Sequence, residues 1–179
     1  VQNSGQILLD IINDILDFSK IENGKMKLDW KQCGINSLIE SLVSMFEKGC
    51  ESKGVNLTYS IEPSVPKCII IDNIRLKQIL TNLLSIAIKF THKGGQVSLS
   101  IIYDDNKHML RFVIEDIGIG IDPENISKVF NAFEQEDAST TLNFGGTGLG
   151  LAISYQLIKL MDGEITVKST QGEGSIFAV

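Results

Sequence analysis

Leu8, Ile11, Ile15 and Phe18 return at three- and four-residue steps, the period of a helix that hides one side. Ile7, Ile12 and Leu16 widen the stripe, and Asn13, Asp14, Asp17 and Lys20 fall on the other side, so a helix is predicted over 6–21. A helix this apolar needs a partner. It either folds back on its own domain or forms half of a dimerising helical hairpin, and periodicity does not choose between them. Asn23 and Gly24 end it. Met26, Leu28 and Trp30 then alternate with polar residues as a half-buried strand. A second helix, capped by Asn36 or Ser37, carries Leu38, Ile39, Leu42, Val43 and Phe46 and stops near Gly54.

The alternation resumes as a strand over 55–61. A loop with Pro63 and Pro66 follows, and Asp72 is placed to cap a helix over 75–90. Strands over 96–103 and 109–116 pair across the polar turn Asp104-Asp105-Asn106. A polar, glycine-containing stretch over 117–147 holds a short helix near 124–130. A helix over 149–161 and a hairpin (164–168 with 175–179) complete the chain. Helices and mostly antiparallel strands interleave without regular βαβ alternation. The fold class is therefore α+β, a two-layer sandwich with the helices on one face of a mixed, mostly antiparallel sheet.

The chain has 179 residues, 43% of them hydrophobic and 21% charged, enough for one well-packed core. A net charge of -6 argues against a non-specific nucleic-acid partner, because counterion release needs a basic face. No apolar run approaches the roughly 18–20 residues of a membrane span, and no signal peptide is recognisable, so no membrane contact and a cytoplasmic location are expected. Cys33, Cys50 and Cys68 lack metal-ligand spacing and read as reduced thiols.

Three separated elements carry chemistry. Asp116-Ile-Gly118-Ile-Gly120-Ile121 stands at a strand end. The carboxylate can accept a hydrogen bond from an adenine amino group, and the glycines let the backbone approach a flat base. Gly145-Gly146-Thr147-Gly148-Leu149-Gly150-Leu151 opens a helix, where backbone N–H groups and the helix dipole favour phosphate. It is not a P-loop, since no Gly-Lys-Ser/Thr follows. The helix over 75–90 buries Leu76, Ile79, Leu80, Leu83, Leu84 and Ala87. On its opposite face it carries Arg75, Gln78, Asn82 and Lys89, with Lys93 beyond, as a third wall for phosphate and metal.

In this order the motifs resemble the catalytic domain of sensor histidine kinases, especially the hybrid type. Residues 75–91, RLKQILTNLLSIAIKFT, resemble the N box, and 116–121 the first glycine box. Residues 130–135 resemble the F box, 146–153 the second glycine box and 172–177 the terminal glycine turn. Residues 4–25 resemble the second helix of the dimerisation and phosphoacceptor domain. The resemblance implies a Bergerat-type ATP-binding fold over 26–179, preceded by a coiled-coil-like dimerisation helix over 1–25. It implies transfer of the ATP γ-phosphoryl group to a histidine on a neighbouring helix, then to a response-regulator receiver aspartate, in a homodimer whose parent could be membrane-anchored upstream.

By the same resemblance Asp116 recognises adenine, Gly118 and Gly120 let the base approach closely, Ile121 and Phe90 belong to the nucleotide site, and Phe133 joins it as an apolar anchor of the lid. Asn82 and Lys89 act catalytically at the phosphates, with Asn82 toward Mg²⁺. Gly146, Thr147, Gly148, Leu149 and Gly150 hold phosphates at the base of a lid over 123–146. The chain departs from the family in three ways. His92 and His108 read as surface residues, so the acceptor histidine is expected outside this chain, which could not autophosphorylate alone. Ile86 stands where the magnesium-ligating asparagine is usual, and Leu142 where a basic residue is common. These departures raise an alternative, a degenerate kinase serving as a nucleotide-binding scaffold. A hydrolytic ATPase resembling gyrase B or MutL is disfavoured, because Asn82 occupies the position of its glutamate base.

Overall fold

The computed structural model describes residues 2–132 and 148–179. Chain order is α1 (Gln2–Glu22), β1 (Lys31–Gly34), α2 (Ile35–Lys53), β2 (Asn56–Ile61), β3 (Cys68–Ile71), α3 (Asn73–Phe90), β4 (Gln96–Asp104) and β5 (Met109–Asp116). Then come α4 (Pro123–Ile126), α5 (Gly150–Leu160), β6 (Thr166–Thr170) and β7 (Gly174–Ala178). Among the described residues the main sheet runs β2-β4-β5-β7-β6, with β2 parallel to β4 and every other pair antiparallel. Val97, Leu99 and Ile101 of β4 and Phe112 and Ile114 of β5 are buried against α3, in one core with apolar residues of α2 and α5. The α+β sandwich expected from the alternating patterns is the fold observed.

Local rules explain most element ends. Asp72 caps α3, its Oδ1 accepting from the N–H groups of Ile74 and Arg75 at 3.1 Å each. Its Oδ2 accepts from Asp29 N–H at 2.9 Å, tying the preceding segment to the head of α3. Gly54 ends α2 in the left-handed conformation, φ 70°. At the far end of α3, Lys53 Nζ donates to the Ile88 and Lys89 carbonyls, placing a cation at the negative end of the dipole.

Four expectations need correction. The alternating segment 26–30 is extended but meets no partner strand, and the ladder begins at Lys31, where β1 pairs antiparallel with β3. That partner, Cys68–Ile71, was read as loop because two prolines precede it. Helix α2 starts at Ile35 after Gly34 with no side-chain cap; Ser37 instead donates its hydroxyl back to the Gly34 carbonyl at 3.0 Å. The short helix near 124–130 is confined to Pro123–Ile126.

The first helix both docks and stays open. Ile21 is buried and Phe18 packs on the core, while Asp17 meets Arg75 of α3. Leu8, Leu9, Ile12, Ile15 and Leu16 are exposed. The edge carrying Asp14, Asp17 and Phe18 therefore faces the sandwich, and most of the apolar stripe faces away. All three cysteines are free, with Cys33 and Cys50 buried and burial pushing both thiols up. Among the described residues no helix is long and apolar enough to cross a membrane.

Candidate functional site

The strand β5 delivers Asp116 to the mouth of the sandwich, 5% exposed. Gly118 N–H donates to its Oδ1 at 2.9 Å, closing the turn on the carboxylate. Burial pushes the Asp116 carboxyl above the ordinary aspartate value, against the N–H groups of Gly118 and Ser175, which favour the charged form. A buried acceptor at a strand end can take a hydrogen bond from an amino group on a flat ligand.

The two glycines of the turn are required by contact. A Cβ at Gly118 would lie 2.5 Å from the Phe90 carbonyl oxygen. At Gly120, φ is 66° and a Cβ would meet the Thr170 carbonyl oxygen at 2.0 Å. The turn is stitched to the end of α3 by Ile119 N–H, which donates to the Phe90 carbonyl at 3.2 Å. Phe90 therefore serves the site through its backbone as well as its ring, over which Lys89 Nζ stands 5.0 Å from the centroid. Lys89 is half-buried, and desolvation lowers its pKa. Ile121 packs partly against the core.

The polar face of α3 is divided between two neighbours. At its N-terminal end Arg75 Nη1 donates to Asp17 Oδ2 at 2.6 Å and to Gln78 Oε1 at 2.7 Å. Gln78 Nε2 donates to the same Asp17 oxygen at 3.2 Å. These two residues thus hold α1 rather than facing a phosphate. Farther along, Asn82 Nδ2 donates to Ser154 Oγ of α5 at 2.9 Å, and a Cβ at Gly150 would lie 2.4 Å from Asn82 Oδ1. Gly148, with φ 68°, and buried Leu149 lead into α5, whose start no side chain caps among the described residues. A cavity of about 70 Å³ lies between α1, α3 and α5, lined by Asp14, Gln78, Asn82, Gly150, Ile153 and Ser154. Lys93 packs beside Gly54.

The structure thus gathers Asp116, Gly118, Gly120 and Phe90 at one end of α3, and Asn82, Leu149 and Gly150 along its flank. Phe133, Leu142, Gly146 and Thr147 lie outside the described residues. His92 and His108 are both exposed, as expected, and His108 Nδ1 is 3.3 Å from the Tyr103 hydroxyl. Sequence reasoning missed Ser154 and Ser169, single serines without periodicity. It also missed Asp14 and Asp17, which read as solvent-facing because the apolar stripe was assigned to packing.

A mixed sheet with helices on one face, a carboxylate-glycine turn and a glycine-led helix define a class of nucleotide-binding domains. The chain belongs to the histidine kinase-, DNA gyrase B- and HSP90-like ATPase family, whose model matches residues 71–179, and its similarity to the kinases below makes it an ATP-binding catalytic domain of the two-component histidine-kinase kind. It is 42% identical over 180 residues to hybrid signal transduction histidine kinase B of Dictyostelium discoideum, covering 99% of this chain and 9% of that protein. It is 42% identical over 179 residues to sensor histidine kinase GacS of Pseudomonas protegens, covering 99% of this chain and 20% of that one. Full-length ShkA, solved in complex with AMPPNP, is similar over 98% of this chain and 36% of its own, with TM-score 0.86 and 31% identity. The chain thus spans a fifth or less of the length of these two curated relatives.

Proposed function

We propose that this chain binds ATP between the Asp116 turn and the head of α5, and donates the γ-phosphoryl group to a histidine on a dimerisation helix, for relay to a receiver aspartate. The observation that carries this reading is the convergence on α3: the Asp116–Ile121 turn is bonded to its end at Phe90, and the glycine-led helix presses on its flank at Asn82. Relatives named as histidine kinases, including a hybrid one, support a histidine as the acceptor.

In this reading Asp116 accepts from the adenine amino group, and Gly118, Gly120, Ile121 and Phe90 border the base. Gly148, Leu149 and Gly150 present backbone to phosphate at the start of α5, and Lys89 supplies a partly desolvated cation. Asn82 orients the phosphates. Catalysis is then mostly positioning and charge neutralisation. Phe133, Gly146 and Thr147 complete the proposed lining from outside the described residues.

Residues 1–25 belong to a dimerisation domain and 26–179 to the catalytic domain. The exposed stripe of Leu8, Ile12, Ile15 and Leu16 fits a second copy of the same helix.

Among the described residues a protein-held Mg²⁺ lacks the oxygen ligand expected at position 86 and keeps Asn82 as its proposed contact. Magnesium takes oxygen ligands in near-octahedral geometry. Half-buried Ile86 offers none, and the described residues contain no cluster of three or more His, Cys, Asp or Glu side chains able to hold a metal.

Calorimetry with a non-hydrolysable ATP analogue tests the site, and transfer of labelled phosphate to a supplied acceptor-helix polypeptide tests the reaction. Absence of analogue binding by the folded chain would overturn the proposal.

A further inference from the structure

The glycine turn is held from outside by one hydroxyl. Ser169 of β6 stands opposite Ser175 of β7. Its Oγ donates to the Gly174 carbonyl at 2.8 Å, accepts from Ile121 N–H at 2.8 Å and lies 3.0 Å from Ser175 Oγ. A hydroxyl has one proton and two lone pairs. With that proton directed at Gly174, Ser169 must accept from both Ile121 and Ser175, which makes Ser175 the donor of the pair.

Ser175 pairs with Asp116 across the sheet, and its backbone N–H favours the charged Asp116 carboxyl. The two ends of the turn, Asp116 and Ile121, are therefore referenced to the same hairpin, and Ser169 closes the connection. The middle of the turn is held there too, since Gly172 N–H donates to the Ile119 carbonyl at 2.7 Å.

We infer that Ser169 is a positioning residue for base recognition: it fixes the far end of the Asp116–Ile121 turn, and so the spacing between the carboxylate and the ring it meets, without touching nucleotide. The inference rests on the proposed adenine role of that turn. A guanine nucleotide carries an oxygen where adenine carries its amino group, so a displaced turn should lose preference for adenine. Phosphate contacts at α5 would be untouched.

The experiment compares Ser169→Thr with Ser169→Val, both strand-compatible and close in volume, one keeping the hydroxyl and one lacking it. Non-hydrolysable ATP and GTP analogues are titrated into the whole chain by calorimetry. Ser169→Val should lose about 5- to 30-fold in ATP-analogue affinity, because Ile121 N–H and the Gly174 carbonyl lose their partner. Its GTP-analogue affinity should stay within about twofold, so the ratio between the two nucleotides collapses, while Ser169→Thr keeps the parent ratio. Equal ratios in the two variants, or equal weakening of both analogues, would overturn the inference while leaving the adenine site standing. An unaltered chain that binds neither analogue would overturn the adenine site and the inference together.

Discussion

Asp17 of the first helix and Arg75 of the third meet at 2.6 Å across a sequence separation of 58, with the side chains 17% and 23% exposed. Gln78 bonds both, so the three residues form a closed, part-buried network between α1 and the sandwich. Breaking it leaves a partly desolvated guanidinium without its carboxylate. Asp17→Asn should destabilise the chain by about 1–2 kcal/mol, between the values for exposed and fully buried pairs. Denaturant unfolding reads the loss, and faster amide exchange in α1 should accompany it. A variant as stable as the parent would make the pair a surface contact only.

Asp116→Asn should weaken ATP-analogue binding about 10- to 150-fold while the fold survives, since a hydrogen bond to a charged group contributes about 1.5–3 kcal/mol. Titration calorimetry checks the affinity and circular dichroism the fold. Unchanged affinity in a folded variant would move the pocket elsewhere.

The same carboxyl gives a pH signature. Burial raises its pKa in the folded state, so folding binds its proton more tightly than the unfolded chain does. Its contribution to stability is fully present below the ordinary aspartate pKa and is lost as pH rises through the raised value. The melting temperature of the parent relative to Asp116→Asn should therefore fall as pH is raised from about 4 toward neutrality. A difference that grows with pH would contradict the burial argument.

Ile86 lies on the α3 face that carries Asn82 and offers no oxygen. Mg²⁺ should therefore strengthen ATP-analogue binding little in this chain. Ile86→Asn should introduce a metal dependence of about 5- to 150-fold, the equivalent of one charge-assisted contact. Calorimetry with and without Mg²⁺ decides. Strong metal dependence in the unaltered chain, unchanged by the substitution, would show that Ile86 is no obstacle.

A second copy is expected on the stripe that α1 leaves open. Ile12→Glu with Leu16→Glu should turn a self-associating chain into a monomer in sedimentation, with little effect on ATP-analogue affinity. A parent chain that sediments as a monomer at high concentration would count against a dimer through this helix.

The parts legible in the sequence were those with period or punctuation. Helix α3 declared itself through its apolar stripe and Asp72, and β4, β5 and the terminal hairpin through alternation. Residues 26–30 alternate just as well, yet alternation reports a half-buried face, not a ladder partner. Strand β3 was hidden by the prolines before it. At the site, glycines were readable because few other residues suit such turns. Ser154 and Ser169 were not, because a hydroxyl that bonds across dozens of residues leaves no local trace. Asp14 and Asp17 were misjudged for another reason: hydrophobic stripes identify what seeks cover, and here a polar edge docks first.

The contact between Asn82 and Gly150 has less than a methyl group's clearance. Helix α3 carries that contact at Asn82, near the middle of its eighteen residues, a rod about 27 Å long. The far end of that rod is the Phe90 carbonyl that carries the glycine turn. One helix thus forms a common floor beneath both ends of the proposed pocket.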